Sequence, residues 1–414
     1  MKKIFDIAVI GGGAAGIMAS VRAGELGKKV VLIERNPSIG VKILMTGKGR
    51  CNITNTAPID VFIEKFAPGG EFFRTAFFTF SGGDLAEFFR SRGLELKAER
   101  QGRVFPVTDK AKSVVSVLEG SLKDSGVDII YNARITAVEH KDTSFILTTE
   151  GAGPIEAKKV VIAAGGASYK ATGSSGDGFK IAERLGHSVL PLKPALVPLK
   201  TKETWVKDLQ GLGLENIRVT FRLGGKKLES EVGELMFTHF GVSGPLVLDM
   251  SGDIVSALER HKEIPMTIDL KPGLRVEQLE SKLVHKFSVK GSVQIRTLMQ
   301  DMLPKRMVGL FLSLLDMPAA KRANQITKTD RQAIIDMLKK LPLTITGSLP
   351  IEEAMVTGGG VSKKDINPRT MESKIVPGLY FAGEVIEGAA PSGGYNLQQA
   401  FSTGYLAGEN AAKV

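Results

Sequence analysis

Three glycines near the start of the chain, Gly11, Gly13 and Gly16, have the spacing G-x-G-x-x-G. They follow the apolar run 4–10, which reads as a buried strand, and they open a segment whose apolar residues recur at helical spacing. A second apolar run then ends in Glu34. In this context Gly11 permits a tight turn, Gly13 lets the backbone approach a pyrophosphate, and Gly16 lets helix and strand pack closely. Since an acid at this distance accepts hydrogen bonds from a ribose diol, the pattern predicts an adenine dinucleotide site.

A second acid follows a glycine near the other end of the chain. Glu384 comes directly after Gly383 at the end of the apolar segment "LYFAG" and can reach a sugar-like polyol. The start of the last helix then offers free N–H groups to an anion, through residues Gly393, Gly394, Tyr395, Asn396 and Leu397. The helix dipole at this N-terminus would stabilise the anionic reduced flavin. Glu384 and the start of the last helix therefore favour FAD over NAD. Small residues on one face of that helix, Ala400, Gly404 and Gly408, predict close packing on the sheet.

A polar run without regular period, "LMTGKGRCNITN" (44–55), lies just past Glu34. It is not a P-loop, because Lys48 is followed by glycine rather than Ser or Thr. Its position predicts a path back along the pyrophosphate toward the flavin. We expect Lys42 and Thr46 to contact phosphates, Gly47 to allow close approach, and Arg50, Cys51 and Asn52 to lie beside the ring system. Cys51 is expected as a small neighbour of the flavin, with direct redox chemistry as the alternative.

Two further side chains are candidates for chemistry. His239, in the loop "FTHFGVSGP", could transfer a proton, or it could simply bond backbone. Arg103, in "GRVFP", could hold an anionic or carbonyl group of a substrate, or form a structural ion pair. The other histidines have no partners at metal-ligand spacing, so no metal site is expected.

The chain resembles the two-dinucleotide-binding-domains flavoproteins, and more closely the bacterial aminoacetone oxidase-like or BaiN-like NAD(P)/FAD-dependent oxidoreductases. The motifs that carry the resemblance span nearly the whole chain: "IGGGAAG", "GKGRCNITN", "GRVFP", "VVIAAGG", "ATGSSGDGF", "GELMFTHFGVSGP", "TGGGV", "TMESK" and "GLYFAGE…GGYNLQ". The resemblance implies non-covalent FAD and activities that include amine oxidation and reduction of carbon–carbon double bonds in steroid-like enones. The expected cofactor contacts also include Ala14, Ala15, Arg35, Ile135, Ala164 and Gly165.

The predicted fold is α/β, with a Rossmann-like FAD-binding domain made of a parallel sheet, helices and a small β-meander. Residues 1–190 and 345–414 are expected to form this domain, interrupted by an insert at 191–344. The insert is expected to be β-barrel-like and mainly β over 191–270, and mainly helical over 271–344. No second glycine-rich unit with strand, helix and acid is found, so NAD(P)H is expected at most as a transient electron donor.

Composition narrows the class of protein. One cysteine among 414 residues excludes a disulfide framework and favours a reducing, cytoplasmic compartment. No apolar stretch is long enough to cross a bilayer, and Asp6 within the first apolar run argues against a signal peptide. The net charge is +11, and residues 261–340 carry 15 Lys and Arg against 8 Asp and Glu.

The leading functional hypothesis is an FAD-dependent oxidoreductase that moves a hydride to or from a small or medium apolar molecule, an amine or an enone. The alternatives are an RNA-modifying flavoprotein that uses the basic insert, and a non-enzymatic flavin sensor. Nucleic acid is not the expected partner, because residues 261–340 contain few aromatic side chains for base stacking. Oligomeric state stays open.

Overall fold

A computed structural model of the chain describes residues 4–413. The chain divides into two compact units, Met1–Ala195 with Pro350–Val414, and Leu196–Leu349. The first is called the cofactor unit below and the second the insert.

Within residues 4–413 the α-helices are α1 (Ala14–Glu25), α2 (Val41–Met45), α3 (Ile59–Lys65), α4 (Arg74–Thr79), α5 (Gly82–Arg90), α6 (Ala111–Asp124), α7 (Asp177–Arg184), α8 (Pro245–Leu258), α9 (Val276–Val289), α10 (Ile295–Met299), α11 (Lys305–Leu314), α12 (Lys328–Lys339) and α13 (Tyr395–Ala412). The strands are β1 (Ile4–Ile10), β2 (Val30–Ile33), β3 (Thr54–Asn55), β4 (Leu96–Ala98), β5 (Arg103–Pro106), β6 (Asp128–Ile130), β7 (Arg134–Lys141), β8 (Ser144–Glu150), β9 (Ile155–Ile162), β10 (Val189–Ala195), β11 (Leu199–Thr201), β12 (Gly213–Leu223), β13 (Lys226–Glu229), β14 (Gly233–Phe237), β15 (Gly241–Ser243), β16 (Ile264–Asp269), β17 (Leu341–Ser348), β18 (Val356–Val361) and β19 (Leu379–Phe381).

The main sheet of the cofactor unit has a parallel half in the order β6-β2-β1-β9, and β19 also pairs with β9 in parallel. Strands β7 and β8 continue it as an antiparallel meander beside β9. Strand β2 is wholly buried, and β1 and β9 are buried over their carboxyl-terminal halves, as apolar runs in a sheet covered on both faces should be. The predicted Rossmann-like class with a small meander is confirmed.

The register of the parallel strands places their carboxyl ends level. Ile10 lies opposite both Ile33 and Ile162, and Phe381 lies opposite Ile162. The residues that follow these four positions therefore share one edge of the sheet, where open α/β sheets bind their ligands.

Helices α1 and α13 pack backbone against backbone, and glycines make this possible. A Cβ at Gly404 would lie 2.2 Å from the carbonyl oxygen of Ala15, and a Cβ at Gly408 would lie 2.3 Å from that of Ala19. The small-residue face of α13 therefore meets α1, rather than the sheet alone as the sequence predicted. Gly16 is equally constrained, because its Cβ would lie 1.9 Å from the carbonyl oxygen of Gly11.

The insert contains an antiparallel sheet in the order β13-β12-β14-β15-β11-β17-β16. Because β12 also pairs with β16, the sheet closes on itself like a barrel, with β13 attached to β12. Helices α9 to α12 follow in sequence, and their buried apolar faces join the strands in one core.

Three features differ from the sequence expectations. Helix α8 lies within 191–270, the segment expected to be mainly β; it begins at Pro245, a favoured first helical residue. Both unit boundaries fall five residues later than expected, since β10 pairs with β18 of the cofactor unit and β17 extends to Ser348. The run 44–55 begins inside α2 and ends in β3. In the part of the chain from 4 to 413, no helix has the length and apolar character to cross a membrane.

We expect Gly404→Ala to destabilise the protein by about 1–3 kcal/mol, because the added methyl forces α13 away from α1. Thermal unfolding of the purified chain measures this. The matched control is Gly120→Ala in α6, where a Cβ meets nothing within 4 Å. That change should stabilise by about 0.5–1 kcal/mol through helix propensity. Equal unfolding temperatures for wild type and Gly404→Ala would contradict the close contact.

Candidate functional site

A cleft opens along the carboxyl edge of the parallel strands, within the cofactor unit. Its walls contain most of the predicted cofactor contacts: Gly11, Gly13, Ala14, Ala15, Glu34, Arg35, Lys42, Thr46, Ile135, Ala164, Gly165, Gly383, Glu384, Asn396 and Leu397. Residues that are far apart in sequence thus line one site.

The N-terminus of α1 faces this cleft. Its first turn, Ala14 and Ala15, belongs to the lining, and within the described residues no side chain caps the helix. A Cβ at Gly13 would meet nothing within 4 Å, so the backbone there borders open space. Uncapped N–H groups next to open space suit an anionic ligand such as a diphosphate.

Glu34 lies at the end of β2 and is buried. One carboxylate oxygen accepts from the N–H of Gly12 at 2.6 Å, and the other accepts from the N–H of Asn36 at 2.8 Å. These bonds fix the carboxylate at the cleft wall. Each oxygen keeps a lone pair that can accept from a ligand hydroxyl.

The N-terminus of α13 also reaches the cleft. Asn396 and Leu397 line it, and Gly394 precedes the helix without a side-chain cap among the described residues. The Asn396 side chain bonds the backbone of Ala390 in both directions, at 2.8 and 2.9 Å. These hydrogen bonds hold the loop before α13 in place. They occupy the Asn396 side chain, so the backbone N–H groups of the first turn stay available to a ligand in the cleft.

An ion pair joins two predicted contacts across the cleft wall. The Lys42 ammonium lies 2.6 Å from a Glu384 carboxylate oxygen and 2.7 Å from the Ser168 hydroxyl. The other Glu384 oxygen accepts from Ser168 at 2.9 Å and from the N–H of Thr357 at 2.8 Å. Desolvation alone would raise the pKa of the Glu384 carboxyl, but Lys42 and these hydrogen bonds hold it below the ordinary value.

A second charged cluster lines the cleft beyond Glu34. Arg134 donates two hydrogen bonds to Asp177, at 2.8 and 2.9 Å, and Arg35 approaches the same carboxylate at 3.3 Å. The hydrogen bonds from Arg134 are the main cause that lowers the pKa of Asp177 to about 2. Asp177 is therefore ionised at neutral pH and is matched by two guanidinium groups.

Several predicted residues do not line the cleft: Gly16, Gly47, Arg50, Cys51, Asn52, Arg103, Gly393, Gly394, Tyr395 and His239. Arg50 is the clearest difference from expectation. Its Nε donates to Asp109 at 2.8 Å, its guanidinium also pairs with Glu99, and it lies 4.1 Å above the ring of Phe105. These partners direct the side chain into a surface ion cluster instead of the cleft.

The start of α13 outside the cleft is anchored to β3. A Cβ at Gly394 would lie 2.3 Å from the carbonyl oxygen of Thr54, and the carbonyl of Gly393 accepts from Asn55 at 2.9 Å. Tyr395 packs edge-on against Phe62. These three residues set the position of the helix, and Asn396 and Leu397 reach the cleft.

Cys51 is fully buried and has left-handed backbone geometry, with φ of 64°. Burial raises the pKa of its thiol to about 12, so the thiolate is essentially absent at neutral pH. A buried, protonated thiol disfavours the catalytic alternative for Cys51, since the thiolate is the reactive form. The neighbouring Asn52 has a buried side-chain oxygen with no hydrogen-bond partner within 4–413.

The remaining candidates have ordinary local partners. Arg103 donates from Nε to the carbonyl oxygen of Arg100 at 3.3 Å, and the ring of His239 lies 4.9 Å from that of Phe240, within the insert. Of the described residues, no cluster of three or more His, Cys, Asp or Glu could hold a metal ion.

Sequence reasoning missed Ser168, Thr357 and Asp177, which bond the predicted cleft residues Lys42, Glu384 and Arg35. It also missed Arg134, which bonds Asp177. Asp177 had a local signal, as the acid of the glycine-rich "GSSGDG" segment. Ser168 and Thr357 had none, because their partners lie far away in sequence.

Comparison with known proteins identifies relatives over the whole length. Residues 5–410 match the family described as "HI0933-like protein Rossmann domain". The chain is 33% identical over 409 residues to the 3-dehydro-bile acid delta(4,6)-reductase of Clostridium scindens, with 98% of this chain and 99% of that protein covered. It is 32% identical over 417 residues to the ribosomal RNA dihydrouridine synthase of Escherichia coli, with 98% of each chain covered.

Two solved structures share the fold. A 3-ketosteroid delta1-dehydrogenase from Sterolibacterium denitrificans gives a TM-score of 0.54 at 12% identity, with 99% of each chain covered. A flavocytochrome c3 fumarate reductase gives 0.53 at 18% identity, covering 99% of this chain and 78% of that one. At these identities the likeness concerns fold alone. The match over residues 5–410 and the two relatives above 30% identity confirm the resemblance expected from the sequence: the chain belongs to the HI0933-like family, the BaiN-like and aminoacetone oxidase-like flavoproteins.

Proposed function

We propose that this FAD-dependent oxidoreductase reduces a carbon–carbon double bond conjugated to a carbonyl group. The observation that carries the proposal is the pair of relatives aligned over 98% of the chain. One is named as a reductase of an unsaturated 3-oxo steroid acid and the other as a synthase of dihydrouridine. Both names describe addition of two hydrogens to a double bond activated by a carbonyl.

The cleft fits FAD by its own chemistry. The uncapped N-terminus of α1 would hold the diphosphate, and Glu34 would accept from the ribose diol. The uncapped N-terminus of α13, at Asn396 and Leu397, would face the flavin end.

When bound, FAD supplies hydride transfer to or from a substrate. In the proposed reaction the substrate would take a hydride, supplied by NAD(P)H by way of the cofactor, at the carbon β to the carbonyl, and a proton at the α carbon. The roles expected from the sequence, His239 as a proton donor and Arg103 as a contact for the substrate carbonyl, stay predictions. Cys51 has no part in this step, because its thiol is buried and protonated.

A second candidate substrate is a uracil base within RNA. The relative named as a ribosomal RNA dihydrouridine synthase and the excess of 15 Lys and Arg over 8 Asp and Glu at 261–340 favour it. The small apolar enone stays the first choice, because the same segment offers few aromatic side chains for stacking bases.

We expect Glu34→Ala to weaken FAD binding by about 1–3 kcal/mol, through loss of the ribose contacts and of the bonds to Gly12 and Asn36. Fluorescence titration of apoprotein with FAD measures the dissociation constant. The control variant is Glu64→Ala, which removes one acidic side chain at an exposed position on α3, outside the cleft. Indistinguishable constants for Glu34→Ala and wild type would refute this role.

We expect the Cys51 thiol to resist a thiol reagent in the native protein at pH 8, because its pKa is raised to about 12. The same thiol should react completely once the chain is unfolded in denaturant, and a Cys51→Ala chain should show no reaction in either state. Stoichiometric labelling of the folded protein at the rate of a free thiol would show that Cys51 is accessible after all.

The reaction class is tested by mixing dithionite-reduced enzyme, without oxygen, with testosterone or with dihydrotestosterone, which lacks the ring double bond. We expect testosterone alone to reoxidise the flavin and to gain two hydrogens by mass. Unmodified ribosomal RNA is tested in parallel, and dihydrouridine formation there would support the second candidate. If neither enone nor RNA reoxidises the flavin, while benzylamine reduces the oxidised enzyme, the proposal fails.

A further inference from the structure

Every carboxylate on the cleft wall has a specific partner. Asp177 is matched by Arg134 and Arg35, and Glu34 accepts from two backbone N–H groups. Glu384 is matched by Lys42, its only ion-pair partner in the described part of the chain. Both side chains of this pair are partly exposed, 25% for Lys42 and 18% for Glu384, because they face the cleft.

The pair also has little freedom to rearrange. Ser168 bonds both charges, and the N–H of Thr357 fixes the Glu384 carboxylate from behind. Of the three N–H bonds of the Lys42 ammonium, two are used, by Ser168 and Glu384. Glu384 therefore cannot turn to a new cation without breaking these bonds.

A ligand that fills the cleft removes the remaining water from the pair. Charges in a dry site interact more strongly, and an uncompensated carboxylate there is costly. The diphosphate of FAD brings further negative charge into the same cleft. Without Lys42, the charge of Glu384 would oppose that ligand.

We propose that Lys42 is a positioning residue that acts through Glu384: its main role is to neutralise that carboxylate so that the cleft accepts an anionic dinucleotide. The alternative is that Lys42 acts directly, as a cation that holds the phosphates. Both roles predict weaker FAD binding when Lys42 is replaced, but they differ when Glu384 is also neutralised. The proposal concerns cofactor binding and does not depend on the substrate.

The test is a double-mutant cycle with Lys42→Met, Glu384→Gln and the combined variant of the full chain. The readouts are the FAD dissociation constant of each apoprotein and its unfolding temperature without FAD. Lys48→Met is the control, since it removes an exposed lysine of the same segment that does not line the cleft. If the Lys42→Met chain does not fold, Lys42→Gln, whose amide can still bond Ser168, replaces it in the cycle.

We expect Lys42→Met to weaken FAD binding about tenfold or more, and Lys48→Met to leave it within about twofold. The double variant should bind FAD at least about fivefold more tightly than Lys42→Met alone. The unfolding temperatures without FAD separate this result from a repaired fold, because the proposal expects affinity to recover even where Lys42→Met and the double variant unfold at the same temperature. A double variant that binds no better than Lys42→Met would overturn the proposal in favour of direct contact. Wild-type affinity in Lys42→Met would overturn it as well.

Discussion

The backbone contact between α1 and α13 is the constraint on which the cofactor site depends. Gly404 and Gly408 leave no room for a side chain against Ala15 and Ala19. This contact brings α13 next to α1, and residues 11–15 and 396–397 line the same cleft. The parallel strands end level with one another at Ile10, Ile33, Ile162 and Phe381. The turns that follow these residues therefore lie at the same edge of the sheet.

We propose that the cleft binds an anionic ligand chiefly through backbone groups. Two helix N-termini without side-chain caps among the described residues face it, and the three cationic side chains in its lining are all paired with carboxylates. Such a site carries little net charge of its own. An FAD-dependent oxidoreductase would gain from this arrangement, because preorganised N–H groups rather than mobile lysines would hold the dinucleotide.

The sequence was most informative where a local pattern has one structural solution. The glycine spacing with Glu34, the apolar strands and the glycine-rich start of α13 predicted the parallel sheet and part of the cleft lining. The sequence did not predict the contacts of side chains whose partners lie far away along the chain. Arg50 lies in a surface cluster with Glu99 and Asp109, and Lys42 is held by Ser168 and Glu384, contacts that no local period reveals. Helix α8 was missed because its strand-rich surroundings outweighed the proline that starts it.

The most direct test of the account is a crystal structure of the full chain with its bound flavin cofactor. We expect the diphosphate against the N–H groups of Gly13, Ala14 and Ala15, and the flavin ring beside Asn396 and Leu397. Density that runs in the opposite direction, with adenine beside α13, or that lies outside this cleft, would contradict it.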